Sequence, residues 1–249
     1  MKILLLDIET APNLVHVWGL WQQNVGLPQI IDAGYVLCWS AKWLGHPDVM
    51  FSSIHHDGRE KMLQTIHSLL DEADAVIHYN GTKFDIPTLN KEFLVGQLAP
   101  PSPVKQIDLL RTARSQFRFP SNKLDYICQA LGIGKKVKHI GHELWIKCMA
   151  DDEDAWHQMM EYNIQDVVLL EDLYFKLLPW IKNHPNASLY SEEESVTVCP
   201  ACGGTQLQKR GFFYTNSYKY QRYQCQGCMK WLRGAHTMSK QNKERVIGV

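Results

Sequence analysis

The chain has 249 residues, enough for one large domain or a medium one with an appendage, and enough to bury a sizeable core. Its 26 basic and 26 acidic residues cancel, yet residues 195–249 hold nine of the basic ones against Glu244 alone, so a tail of +8 is joined to a body of −8. No apolar run approaches the roughly 18 residues needed to span a membrane and no signal peptide precedes the first strand, which excludes a membrane-spanning class and points to the cytoplasm.

Residues 3–8 form a nearly continuous apolar run, the pattern of a strand buried on both faces. A strand alternates its side chains, so Asp7 and Glu9 project to one side while Leu6 and Ile8 project to the other. Neither Lys nor Arg occurs between Lys2 and Lys42 to neutralise the pair locally. Carboxylates near a core either shift their pKa upward or recruit a cation, and a hard divalent ion such as Mg²⁺ or Mn²⁺ suits oxygen ligands.

Two further strands are predicted over residues 34–40 and 49–52, joined by a return through Gly45-His46-Pro47-Asp48. An amphipathic helix over residues 59–70 carries Met62, Ile66, Leu69 and Leu70 on one stripe. A short strand at residues 75–78 leads into Asn80-Gly81-Thr82-Lys83-Phe84-Asp85, then a helix over residues 87–95 and a fifth strand over residues 104–107. Helices dominate residues 108–181, with Asp108 and Lys123 at element starts in structural roles. The longest is expected to open at Asp151-Asp152-Glu153-Asp154, whose charge complements a helix N-terminus. Within it Tyr162 and Asp166, four apart, emerge on nearly the same face about 6 Å apart along the axis. Trp156, Met159, Met160, Val167, Leu170 and Leu173 supply its apolar surfaces.

Residues 183–197 are polar and turn-rich and read as a linker. Beyond them Cys199-Pro200-Ala201-Cys202 and Cys225-Gln226-Gly227-Cys228 form two C-x-x-C turns, with 22 residues between the inner cysteines. Four thiolates in two such turns suit one tetrahedral Zn²⁺, iron being the minor alternative. A redox role fits poorly, because neither pair opens a helix in a β-α-β setting. Cys38, Cys128 and Cys148 lie singly in apolar stretches and are assigned to the core. Between the cysteine turns, Phe212, Phe213, Tyr214, Tyr218, Tyr220 and Tyr223 lie among Lys219 and Arg222, with Trp231 beside Lys230 and Arg233 just beyond. Basic residues for phosphates and rings for unstacked bases are the ingredients of single-strand binding; the competing readings are rings forming the module's own core and docking of a protein.

The Asp-x-Glu strand, the Asn-x-x-x-x-Asp segment ending at Asp85 and the Tyr-x-x-x-Asp helix resemble, in order and spacing, the three motifs of the DEDD exonuclease superfamily, tyrosine subtype. The resemblance runs from Met1 to about Trp180. The histidine subtype would need His five positions before Asp166, where Glu161 stands. The resemblance implies a ribonuclease H-like α/β fold, a mixed five-stranded sheet flanked by helices over residues 1–182. It implies a 3′ to 5′ exonuclease releasing nucleoside 5′-monophosphates by a two-metal mechanism. Asp7, Glu9, Asp85 and Asp166 would hold two Mg²⁺ or Mn²⁺, Tyr162 would orient the attacking water, and Asn80 would lie near the bound strand. Residues 198–249 resemble a zinc ribbon with a basic tail, holding one structural Zn²⁺, with Lys219 and Arg222 as substrate contacts. The implied partner is nucleic acid, with a polymerase or a replication or repair protein as a second partner of the ribbon. The rivals are an endonuclease of the same fold and a non-catalytic nucleic-acid-binding or scaffold protein. The tyrosine motif opposes the first and the presence of all four carboxylates the second.

Overall fold

The computed structural model describes residues 1–190 and 197–238. Contacts divide the chain into two units, Lys2–Tyr174 and, from Phe175 onward, a second that also takes in Met1. The linker residues 191–196 and the basic end with Lys240, Lys243 and Arg245 lie outside the described residues.

In the first unit the elements run β1 (Ile3–Thr10), β2 (Leu14–Val15), β3 (Ile30–Asp32), β4 (Val36–Trp43), β5 (Met50–Ser53), α1 (Arg59–Glu72), β6 (Ala75–His78), α2 (Asp85–Val95), β7 (Lys105–Asp108), α3 (Leu109–Gln116), α4 (Leu124–Ala130), α5 (Glu143–Met149) and α6 (Glu153–Leu177), whose last turn crosses the boundary between units. Five strands make a mixed sheet in the order β5-β4-β1-β6-β7. β1, β6 and β7 are parallel; β4 runs antiparallel to β1, and β5 antiparallel to β4 and so in the direction of β1. This is the ribonuclease H-like arrangement expected from the sequence.

β1 is central because it is apolar on both faces: Leu4, Leu5 and Leu6 are fully buried. Each such leucine contributes roughly 1.5–3 kcal/mol. Leu4, Leu6 and Ile8 join Trp39, Met62, Ile66, Leu89 and Phe93 in one core beneath α1 and α2. On the other side Leu37 and Cys38 pack with Leu144, Cys148, Trp156, Met159 and Tyr162 beneath α5 and α6. Cys38, Cys128 and Cys148 are buried and unpaired, as their apolar settings predict.

Asp152 precedes α6 and accepts the amide of Ala155 at 3.0 Å, so the acidic run caps the helix as expected. α6 is fastened farther along by Glu171, which pairs with buried Lys42 and accepts the Gly45 amide at 2.9 Å. α2 begins at Asp85 itself, two residues earlier than the proline suggests. The short hairpin of β2 and β3 has no counterpart in the sequence reading, and its long tip exposes Trp18 and Trp21.

In the second unit β8 (Leu207–Tyr214), β9 (Lys219–Cys225) and β10 (Trp231–Thr237) form a three-stranded antiparallel sheet in the order β10-β9-β8. Two residues of β8, Arg210 and Gly211, oppose Arg222 alone; Gly211, at φ +66°, forms the bulge. No helix among the described residues is long and apolar enough to cross a membrane.

Candidate functional site

β6 pairs with β1 only as far as Leu5, so the end of β1 overhangs its parallel neighbour. The overhang carries Asp7 and Glu9 on the α6 side and leaves the Ile8 amide without a ladder partner from β6. Asp85 supplies one: its carboxylate accepts the Ile8 amide and its own. The turn ahead of it fixes this placement. Asn80 adopts φ +74° and donates its amide to Asp108 Oδ1 at 3.1 Å, and the carbonyls of Asn80 and Gly81 accept the amides of Lys83, Phe84 and Ile86. Gly81 has no room for a side chain, since a Cβ would lie 2.4 Å from His78. Asp108 also caps α3 by accepting the Arg111 amide, the structural role read for it in the sequence.

From α6, Tyr162, Asn163 and Asp166 face the overhang. Carboxylate oxygens of Asp7, Glu9 and Asp166 come within 4.8 Å of one another. Asp85 stands outside that triple, close enough for its charge to act on Asp7. Three groups that no motif signalled complete the site. Asn163 is fully buried and donates Nδ2 to Asp7 Oδ2 at 2.7 Å. Trp145 donates Nε1 to Glu9 Oε2 at 3.2 Å. Lys136 donates Nζ to Tyr162 Oη at 2.9 Å and forms an ion pair with Asp166. His139, Trp145 and Tyr162 meet edge to face with ring centroids 4.8 to 6.0 Å apart, walling one side.

The electrostatics follow from packing four acids into a desolvated crevice. Burial, then the charges of Asp166, Asp85 and Glu9, hold Asp7 well above the usual carboxylate range. Burial and Asp166 push Glu9 up to about 8. Burial raises Asp85 to about 7 even though two amides stabilise its charge. Asp166 is raised by burial despite Lys136 and the Tyr162 hydroxyl, both of which favour its anion. Burial and Asp166 lift the Tyr162 phenol to about 12, so it is neutral at physiological pH. Burial opposes the charge on Lys136, but Asp166 and Tyr162 more than restore it. The two responses expected of crowded carboxylates therefore occur together, and the cation comes from the segment between α4 and α5, far from β1 in sequence.

These residues fit hard divalent ions. The donors are all oxygens, the ligand type such ions prefer, and Asp7, Glu9 and Asp166 each offer one to the same space. Asp166 Oδ1 is buried without a hydrogen-bond partner.

In the second unit Cys199, Cys202, Cys225 and Cys228 bring their sulfurs within 4.8 Å of one another, with Cys199–Cys228 at 3.7 Å and Cys202–Cys225 at 3.6 Å. A disulfide needs about 2.05 Å. A tetrahedron of sulfurs about 2.3 Å from Zn²⁺ has edges near 3.8 Å, which these distances match. The backbone is shaped for anionic sulfur: Gly204 donates to Cys202, Gly227 and Cys228 to Cys225, and Lys230 to Cys228. Burial raises Cys202 and Cys228, while at Cys225 the amides outweigh burial and lower the thiol. Lys230 is committed to the fold, donating Nζ to the carbonyls of Leu178 and Ile181. Lys219 and Arg222, three apart on β9, project from opposite faces of the sheet.

The RNase_H superfamily family model matches residues 47–178, more than half of the chain, and the chain belongs to that superfamily. The match takes in Asp85, Tyr162 and Asp166, while β1 with Asp7 and Glu9 precedes it. Among solved structures, the chain is similar to the family B DNA polymerase from the hyperthermophilic archaeon Pyrobaculum calidifontis, with a TM-score of 0.54 and 17% identity over 72% of this chain. The likeness covers 24% of the polymerase, so this chain spans about a quarter of it, and at that identity it speaks to the fold. No curated protein matches the chain in sequence.

Proposed function

We propose that this protein is a metal-dependent 3′ to 5′ exonuclease of the DEDD type, tyrosine subtype, with a C-terminal zinc ribbon that aids substrate binding. Superfamily membership supports a nuclease. The observation that carries the finer reading is the convergence of Asp7, Glu9 and Asp166 within 4.8 Å, with the Tyr162 hydroxyl hydrogen-bonded to Asp166 and Lys136.

In this reading Asp7, Glu9, Asp85 and Asp166 hold two Mg²⁺ or Mn²⁺. Such a pair supplies an activated water and neutralises charge on the scissile phosphate and leaving oxygen. Tyr162 would position the water through its hydroxyl. Asn163 and Trp145 fix the carboxylates of Asp7 and Glu9 by donating to one oxygen of each. His139, Trp145 and Tyr162 exclude bulk water from one side, and Asn80 contacts the bound strand near Asp85. Products are nucleoside 5′-monophosphates. The four ribbon cysteines hold one Zn²⁺, and a reducing compartment, the cytoplasm, suits their thiolates and the three free cysteines of the body.

Product analysis on 5′-labelled DNA and RNA oligonucleotides with free or blocked 3′ termini, in Mg²⁺ or Mn²⁺, tests this reading. Stepwise shortening is expected from free ends only. Asp166→Asn should lower the rate by about a thousandfold or more, the loss of several kcal/mol of transition-state stabilisation. Tyr162→Phe should cost about a hundredfold. Internal cleavage of blocked substrates, or full activity in Asp166→Asn, would sink the assignment.

A further inference from the structure

We propose that one face of the ribbon sheet is a stacking platform for single-stranded nucleic acid. The proposal rests on the reading above for the identity of the polymer and names its strandedness.

The strand register assembles the face. Phe213 pairs with Tyr220, and Arg222 with Arg233. Trp231 lies opposite Gln224, two residues along β9 from Arg222, and so shares their side. Arg210 and Phe213 are three apart and would ordinarily point opposite ways; the bulge at Gly211 brings them to the same side. Three arginines thus alternate with three aromatic rings on one surface.

That surface is not the module's core. Phe213 is 42% exposed and Trp231 53%. The opposite side carries half-buried Leu207, Tyr223 and Leu232, and toward its far end the exposed rings of Phe212 and Tyr214 with Lys219 over the former. The rings therefore divide by strand parity between the two faces, with Phe213, Tyr220 and Trp231 beside the arginines and Phe212, Tyr214 and Tyr223 on the other side.

Two features set the chemistry of the occupant. Arg222 and Arg233 stand directly across the strands from each other, an arrangement that costs stability unless an anion bridges it. Residues 197–238 contain no Asp or Glu to supply one. The guanidinium groups are also pre-positioned on ring faces, Arg222 5.0 Å from the Trp231 centroid and Arg233 4.3 Å from that of Tyr220. Arg222 Nε is further fixed by the Arg210 carbonyl at 2.8 Å. A polyanion satisfies the cations, but only one with free planar faces also covers the rings. Bases in a duplex are stacked on one another, so the complement is a single strand.

The test uses the full chain carrying Asp166→Asn, so that substrate survives, titrated with fluorescent oligo-dT, oligo-U and a duplex of equal length. Single strands should bind more tightly than duplex. Trp231→Ala and Arg222→Ala should each weaken single-strand binding about tenfold or more. Arg222→Ala should also reduce the slope of log affinity against log salt by about 0.7. Trp231→Phe should restore binding, and Lys209→Ala, which removes an equal charge from the other side, should change affinity less than about twofold. Zinc content and circular dichroism establish that each variant is folded. Equal losses in Lys209→Ala and Arg222→Ala would mean a diffuse charge effect, and undiminished binding in folded Trp231→Ala would make the face a protein-docking surface; either overturns the proposal. Because binding is read apart from cleavage, an inactive wild-type enzyme that still binds in this pattern would sink the exonuclease reading and leave the platform standing.

Discussion

The acidic crevice and the cysteine cluster both crowd ligand atoms of one charge type together, but their surroundings differ. The crevice sits between two large apolar cores and carries its own counter-charge, Lys136, together with amide and indole donors from Asn163 and Trp145. Of the cysteine cluster only Cys225 lies in a strand, at the end of β9, and the neighbouring β8 is exposed almost throughout. Lys230, the basic residue two positions beyond Cys228, spends its charge on backbone carbonyls. The first site can fold before any ion arrives because hydrophobic burial carries it. The second holds its turns by backbone hydrogen bonds with little apolar burial around them, so in the proposed reading a bound ion would supply much of their stability.

The largest effect that tests this contrast is loss of zinc. Cys199→Ser, or a strong chelator, should unfold the ribbon, since structural zinc contributes on the order of 10 kcal/mol in small modules. The unit Lys2–Tyr174 should keep its own thermal transition. Elemental analysis should find one zinc per chain in the wild type, and a ribbon that stays folded without it would break the comparison.

A smaller effect isolates the built-in cation. Lys136→Met should cost on the order of 3 kcal/mol in metal-free protein near pH 8 and less near pH 5. Glu9 and Asp85 are raised to about 8 and about 7 from ordinary values of 4.5 and 3.8. As neutral acids they need no counter-ion, so stability of the metal-free fold should fall as pH rises from about 4 to 8, more steeply in the variant. Millimolar Mn²⁺ should recover the loss, read as a rise in melting temperature. A pH-independent deficit would mean that Lys136 acts through packing alone.

The smallest effect lies at the start of α6. His55 bonds to Asp151 at 2.6 Å and to Glu153 at 2.9 Å and stacks on Trp156, and the Asp151 bond first, then that to Glu153, raise its pKa above 6.5 against desolvation. A raised histidine contributes stability that is complete below about pH 6.5 and is lost as pH climbs through its folded value. His55→Phe keeps the stack and removes the titration, so wild type and variant should differ by at most about 1 kcal/mol, mainly at low pH, in paired denaturant titrations.

Much of the crevice was legible because its geometry is local. The period of a strand places Asp7 with Glu9, and the turn of a helix places Tyr162 with Asp166. The order of elements, three strands, a helix, a strand, a helix and a strand, followed from the apolar runs, and its likeness to the ribonuclease H-like fold supplied the sheet. Lys136 was not legible, because nothing in a loop's composition tells which distant carboxylate it will meet. Asn163 left a weaker trace, a polar residue directly beside Tyr162 in the same helical turn. The ribbon's faces were hidden for a different reason. One extra residue at Gly211 inverts strand parity beyond it, so counting along β8 assigns rings to the wrong side unless the bulge is known. Lys219 and Arg222 look like neighbours in sequence and project to opposite surfaces.

The unequal lengths of two adjacent strands make a ruler. Were His78 followed by two more residues of extended chain, hydrogen bonds would zip along the second edge of the leading strand and the Ile8 amide would be claimed by backbone. Asp85 would then lose its anchor and swing away from its fellow acids, with every side chain intact. A nuclease of this build could thus be silenced by an insertion that alters no reactive group, and an inventory of surviving motifs would not reveal it.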